Sequence, residues 1–249
     1  MSENDKLSSE LTPLETFPSR AFMPDSEIPR TVCAFVLTLG LVYNDLKDIL
    51  IGSRSLEAER PEGTFVKTKA WGQYNGLRLH LVRVALGLYH ELLVLISGNQ
   101  RVILEASFLD TIKHIQRDSR ESWEAIVAAA LKQPHSSDLS KALALIRNTV
   151  SFHYDPKRTL RGYEVCFDSQ NTDSVPYISR GNTMLATRFY FVDAAADASL
   201  KQCMQNDEVR RQLTQDSRFL EEINLALHEI VLTFIQRRGC AWRSVQPST

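Results

Sequence analysis

Leu77-Arg78-Leu79-His80-Leu81-Val82-Arg83-Val84-Ala85-Leu86-Gly87-Leu88-Tyr89-His90-Glu91-Leu92-Leu93-Val94-Leu95-Ile96 decides the fold of this chain. Leu77, Leu81, Val84, Leu88, Leu92 and Leu95 recur every three or four residues, the period of one helical face rather than the alternation of a strand. The pattern reaches back to about Phe65 and stops at Gly98-Asn99, a pair suited to a helix C-terminus. So long an apolar face must be covered by other helices, and the expected class is mainly all-α, a multi-helix bundle.

Upstream, a second long helix is expected from about Arg30 to Ile51, separated from the first by the turn Pro61-Glu62-Gly63. Downstream, one helix fits Arg101 to Gln116. Another runs through Leu131, capped by Asp118 or Ser119 with Glu121 placed to reach back. After a loop at Pro134 to Asp138, Leu143, Ile146 and Val150 mark a helix from Leu139 to about Tyr154. Asp155-Pro156 then reads as stop and restart, with proline at a first turn and aspartate as its cap. A short helix follows to about Phe167, then a polar loop from Ser169 to Val175.

Beyond that loop the period changes. Pro176 to Arg180, Gly181-Asn182 and Thr183 to Phe191 read as a small β-hairpin excursion near 175–191. A last long helix, broken near Asn206 or Gln215-Asp216, carries Leu220, Ile223, Leu227, Ile230, Val231 and Phe234.

With 249 residues and 43% hydrophobic content the chain can bury one sizeable core. The expected organisation is a flexible, acidic, proline-dotted leader over 1–28 and a single helical domain over 29–245. A net charge of −1 excludes a chain-wide nucleic-acid or membrane coat, so any anion site must be a local patch. Cys33, Cys166, Cys203 and Cys240 stand far apart, which fits isolated thiols rather than a disulfide framework or zinc knuckle. The N-terminus lacks a signal-peptide pattern, and the stretch read as the longest apolar one, Val32 to Tyr43, is too short to span a bilayer. The expectation is a soluble, cytoplasmic protein without a membrane partner.

The most specific chemistry lies at the end of the fifth helix, in Arg147-Asn148-Thr149-Val150-Ser151-Phe152-His153-Tyr154-Asp155-Pro156. Arginine presents a permanently charged planar fork that suits a phosphate, and histidine exchanges a proton near neutrality. An Arg–polar–His set can therefore hold a phosphodiester and move protons around it without a metal. Spacing alone decides little, because a chain with six histidines meets such a spacing about once by chance. Arg83 and His90 form a second match. Three features favour the first: Asn148 follows its arginine, His153 sits beside a helix break, and basic residues cluster nearby. Lys141, Arg147, Lys157, Arg158 and Arg161 face only Asp155 over that stretch. The plain alternative is that Arg147 pairs with a neighbouring carboxylate, His153 complements the negative end of its helix, and Asn148 is a surface residue.

Arg147, Asn148 and His153 match, position by position, the shared motif of the HEPN superfamily, which this region resembles. That motif is an arginine, an adjacent polar residue, and a histidine after a gap of four to six. The Phe152-His153-Tyr154 ending is similar to that of uncharacterised bacterial members. The resemblance covers about ten residues in a helical setting from Arg30 to Phe167. It implies a metal-independent endoribonuclease without cofactor, with Arg147, Asn148 and His153 catalytic. Tyr154, Lys157, Arg158 and Arg161 are the expected substrate-binding residues. It also implies a composite cleft at a homodimer interface. Geometry agrees: six residues of regular helix leave Arg147 and His153 roughly 120° apart and about 9 Å along the axis, so one helix cannot easily close both on one phosphate. The activity class is toxin or defence, with an antitoxin or nucleotidyltransferase as possible partner. The other reading is a non-catalytic module that binds a nucleotide, RNA or a partner protein.

Other candidates are weaker. His90-Glu91 and His228-Glu229 do not continue to HExxH, and read as core or surface histidines. Arg237-Arg238 and Arg243, with Trp242, form a short basic-aromatic tail that reads first as a solvated helix end.

Overall fold

A computed structural model of the chain describes residues 15–63, 68–131, 137–148, 155–167, 175–179, 187–203, 217–240 and 243–244. Among the described residues there are nine α-helices and one short 3-10 helix, Ser19–Phe22. In chain order the α-helices are α1 (Arg30–Ala58), α2 (Lys69–Gly98), α3 (Gln100–Ile103), α4 (Ala106–His114), α5 (Arg117–Ala130), α6 (Ser137–Ile146), α7 (Pro156–Cys166), α8 (Tyr190–Cys203) and α9 (Ser217–Arg237). Two short strands, β1 (Glu15–Thr16) and β2 (Arg243–Ser244), pair antiparallel, Glu15 opposite Ser244. The mainly all-α class expected from sequence is what the chain adopts.

The helical period of the α2 segment is realised. Thr68 caps it, its hydroxyl accepting the Trp71 backbone N–H at 3.3 Å. Leu92 and Ile96 are fully buried in one continuous core, with Leu39 of α1, Leu143 and Ile146 of α6, and Leu227 of α9. By length and composition α2 could cross a membrane, which the shorter apolar stretch of α1 could not. Leu77, the first residue of the expected stripe, is exposed, as are Val82 and Val94, which lie on other sides of the helix.

Several boundaries differ from expectation for identifiable reasons. The helix expected over 101–116 is two helices, broken at Leu104-Glu105. Val102 and Ile103 are buried before the break and Phe108 and Ile112 after it. On one straight helix these pairs would sit well apart around the axis, and the break turns both faces inward. α5 starts at Arg117, not behind Asp118 or Ser119. The Gln116 backbone N–H donates to Glu229 of α9 at 2.9 Å, Glu121 pairs with Arg117 at 2.7 Å instead of reaching back, and Ser119 is buried.

Among the described residues the expected hairpin shows one antiparallel bridge. Ser179 and Arg188 exchange two backbone hydrogen bonds of 2.9 Å each, and residues 180–186 lie outside the described residues. The strand expected to run to Phe191 gives way to α8 at Tyr190. Aromatic and β-branched residues over 189–192 mimic a strand locally, but the alanines at 194–196 and 198 that follow favour helix strongly. Gly72 and Gly76 of α2 receive this segment. The Tyr190 ring lies on Gly72, where its hydroxyl donates to the Lys69 carbonyl at 3.1 Å. The Arg188 guanidinium lies over Gly76 and donates to Asp193 at 2.8 Å.

The leader also needs correction where it is described. Residues 15–28 are docked, not loose, because Arg238 at the end of α9 fastens them. Its Nη2 donates to the carbonyls of Arg20 (3.0 Å) and Met23 (2.7 Å), its Nε to that of Ala21 (3.2 Å), and its Nη1 to the Asp25 carboxylate. Arg237 likewise pairs with Asp110 of α4. Arg238 is therefore used for packing the chain, while Arg237 stays exposed and Trp242 lies outside the described residues. Arg238→Ala is expected to raise the rate of tryptic cleavage at Arg20 and Arg30 about tenfold, read by limited proteolysis, since four donors leave together. The Arg238 side chain also holds the Asp25 carboxyl below its ordinary range. That contribution is present above the ordinary carboxylate range and is lost as pH falls through the lowered folded value, so acid should loosen the leader more in the wild type than in the variant, where the Glu27 and Ile28 backbone N–H groups still favour the carboxylate.

Candidate functional site

Leu143 and Ile146, one helical turn apart and fully buried, anchor the last turn of α6. At Arg147 and Asn148 the backbone widens into a π turn. Such turns are energetically poor in mid-helix and recur where a side chain must be re-aimed. Here the widening follows the core anchor Ile146 and leaves the Arg147 side chain 31% exposed.

A carboxylate of α2 and the side-chain amide of the adjacent residue accept hydrogen bonds from that guanidinium. Its Nε donates to Glu91 Oε1 of α2 at 3.1 Å, and its Nη1 donates to the Asn148 side-chain oxygen at 3.0 Å. The same Glu91 oxygen lies 3.7 Å from Nδ1 of His90. Nδ1 itself is buried and has no hydrogen-bond partner. An amide, a guanidinium, a carboxylate and an imidazole thus stand in sequence across the α2–α6 contact. Glu91 is half exposed. Sequence reasoning set it aside with His90 as an isolated dipeptide, since 56 residues separate it from Arg147 and no local spacing signals the contact. It also lowers the positive charge expected around the motif.

His153 and Tyr154 lie outside the described residues. Asp155 does what its sequence position suggests. Its carboxylate accepts the backbone N–H of Lys157 at 2.9 Å and of Arg158 at 3.3 Å, with Pro156 in the first turn of α7. Lys157 and Arg161 are exposed, and so is Lys141 on α6. Arg158 is partly buried instead, its Nη1 3.7 Å from Cys203 Sγ and its Nε 3.8 Å from Asp155. The expected basic face of α7 is therefore Lys157 and Arg161, with Arg158 turned toward α8.

α7 is held by an unusually close crossing with α8. Gly162 meets the Ala195 carbonyl and the Ser199 hydroxyl, which in turn donates to the Arg158 carbonyl at 2.9 Å. Beside this crossing runs a shallow groove of about 380 Å³ lined by Val165, Cys166, Asp197, Ala198, Lys201 and Gln202. The Cys166 thiol donates to the Ala194 carbonyl at 3.3 Å, and burial pushes its pKa up, which makes it a poor nucleophile.

The chain matches no protein-family model, no curated protein and no solved structure. What this site does is read from its own chemistry. A partly exposed guanidinium with one edge oriented by an amide has the chemistry to receive an anion. Its present anion is the carboxylate of Glu91.

Proposed function

We propose that this chain is a metal-independent endoribonuclease of the toxin or defence type, acting as a homodimer on cytoplasmic RNA. The observation that carries this reading is the Arg147 guanidinium, re-aimed by a π turn, partly exposed and oriented by Asn148. In the reaction Arg147 stabilises charge on the transferring phosphoryl group, and Asn148 keeps the fork in plane. His153 takes the proton from the ribose 2′-hydroxyl of RNA or gives one to the leaving 5′-oxygen. The products are a 2′,3′-cyclic phosphate and a free 5′-hydroxyl. Lys157 and Arg161 draw the backbone in, Arg158 steadies α7 beneath them, and Tyr154 stacks on a base. A twofold-related α6 brings His153 of one subunit opposite Arg147 of the other. An antitoxin or nucleotidyltransferase partner would act by covering this end of the bundle.

A second reading, a non-catalytic module that binds RNA, a nucleotide or a partner protein, is favoured by the Glu91 contact, which holds Arg147 within its own chain. Total RNA incubated in EDTA with wild type, Arg147→Ala and His153→Ala separates the two. The nuclease should cut RNA and leave DNA intact, because DNA lacks the nucleophile. Loss of Arg147 or of His153 should each slow cutting about 10²- to 10³-fold. Arg147-dependent retention of RNA without cutting would establish the binding module instead. Cutting that survives both substitutions would remove this site from the reaction.

A further inference from the structure

We infer that Glu91 is an internal competitor for the anion that Arg147 binds, so that the site rests in a closed state and opens only when a phosphate displaces the carboxylate. This rests on the reading of Arg147 as an anion receptor, whether or not cleavage follows. Glu91 Oε1 occupies Nε of the guanidinium, an edge that a bidentate phosphate needs, and Nη1 is already taken by Asn148. The two partners come from different helices, α2 and α6, so nothing covalent obliges them to meet.

Their exposure decides how firmly the gate is shut. The Arg147 and Glu91 side chains are 31% and 45% exposed. An ion pair so open to water holds its partners only weakly, and a phosphate that makes two charge-assisted bonds can replace it. His90 gives the displaced carboxylate somewhere to go. Its buried Nδ1 lacks a partner, and the same Glu91 oxygen is already 3.7 Å away. With the His90 proton on Nδ1, a small rotation of Glu91 toward it releases Nε of Arg147 and satisfies the orphaned nitrogen. The pair thereby sets a threshold: isolated anions meet a closed fork, while an RNA strand gripped elsewhere by Lys157 and Arg161 has the local concentration to open it.

The test compares wild type, Glu91→Gln and Arg147→Ala in binding a short single-stranded RNA at low salt. The Arg147 Nε–Hε resonance is followed in the first two during the titration. Gln keeps the size of Glu91 at a half-exposed position, so the fold is retained. Glu91→Gln is expected to bind RNA about fivefold tighter and Arg147→Ala at least tenfold weaker. The Nε–Hε signal of wild type should move on titration from its carboxylate-bonded position. Binding that is unchanged or weakened by Glu91→Gln, while Arg147→Ala still loses it, overturns the gate and leaves the anion site standing. Full binding by Arg147→Ala overturns both.

Discussion

Phe108→Ala is expected to lower the unfolding free energy by about 4 kcal/mol, the middle of the range for removing a buried phenyl ring. Phe108 is fully buried. Its ring centroid lies 5.4 Å from Phe35 and 5.7 Å from Trp123, both edge-on, and those two rings lie 6.5 Å from each other. The triangle ties α1, α4 and α5 together, so the ring's removal costs its transfer energy, a cavity that three helices cannot easily collapse, and two oriented aromatic contacts. The midpoint of urea unfolding should fall with an unchanged slope, and the melting temperature should drop by roughly 10 °C for a chain of this size. Phe108→Leu keeps most of the volume and should cost about 1.5 kcal/mol. A loss below about 1 kcal/mol for the alanine variant would mean that these helices are not held by this contact.

Helices were legible wherever one face alone is buried. Leu92 of the expected α2 stripe, and Leu143 and Ile146 of α6, enter the core, whereas Leu77 is exposed and Leu93 and Ile96 complete the buried face of α2. The Asp155-Pro156 cap was legible because its chemistry is local: one carboxylate and two backbone donors within three residues. Failures came where a distant group decided a local question. The first residue of α5 depends on Glu229, more than a hundred residues away. The start of α8 at Tyr190 depends on two glycines of α2 that leave room for its ring and for Arg188. No window of sequence around residue 190 contains that information, while the aromatic and β-branched run there points to a strand.

The candidate site divides in the same way. Arg147 and Asn148 were found because they are adjacent and share a helix end. Glu91 is not legible in the sequence because its contact with Arg147 is tertiary, across 56 residues, and it is the carboxylate that the plain alternative for Arg147 requires. The basic cluster was half right. Charge counting treats Lys157, Arg158 and Arg161 alike, yet the Ser199 hydroxyl on the Arg158 carbonyl and the Cys203 sulfur beside its guanidinium turn Arg158 toward α8. A count of charges along a chain carries no information about which face of α7 is covered.

The α7–α8 crossing gives the second large effect. Gly162→Ala is expected to destabilise the protein by about 2 kcal/mol, although the same change in an exposed helix interior would stabilise it by up to about 1 kcal/mol. The two effects have opposite signs, so the measured sign reports which wins. A methyl group at residue 162 would run into the Ala195 carbonyl oxygen and crowd Ser199 Oγ. The hydroxyl can rotate away, but the carbonyl belongs to the α8 backbone and cannot, so the helices must separate. Ser199→Ala alone should cost about 1 kcal/mol through the lost bond to the Arg158 carbonyl. The double variant should recover almost nothing relative to Gly162→Ala, because the backbone clash remains. Amide exchange along α7 should quicken in the same variants, and RNA retention should weaken with it, since Lys157 and Arg161 ride on that helix. A rise in stability for Gly162→Ala would mean that intrinsic helix preference outweighs the contact and that α7 stands further from α8 than a glycine-sized gap.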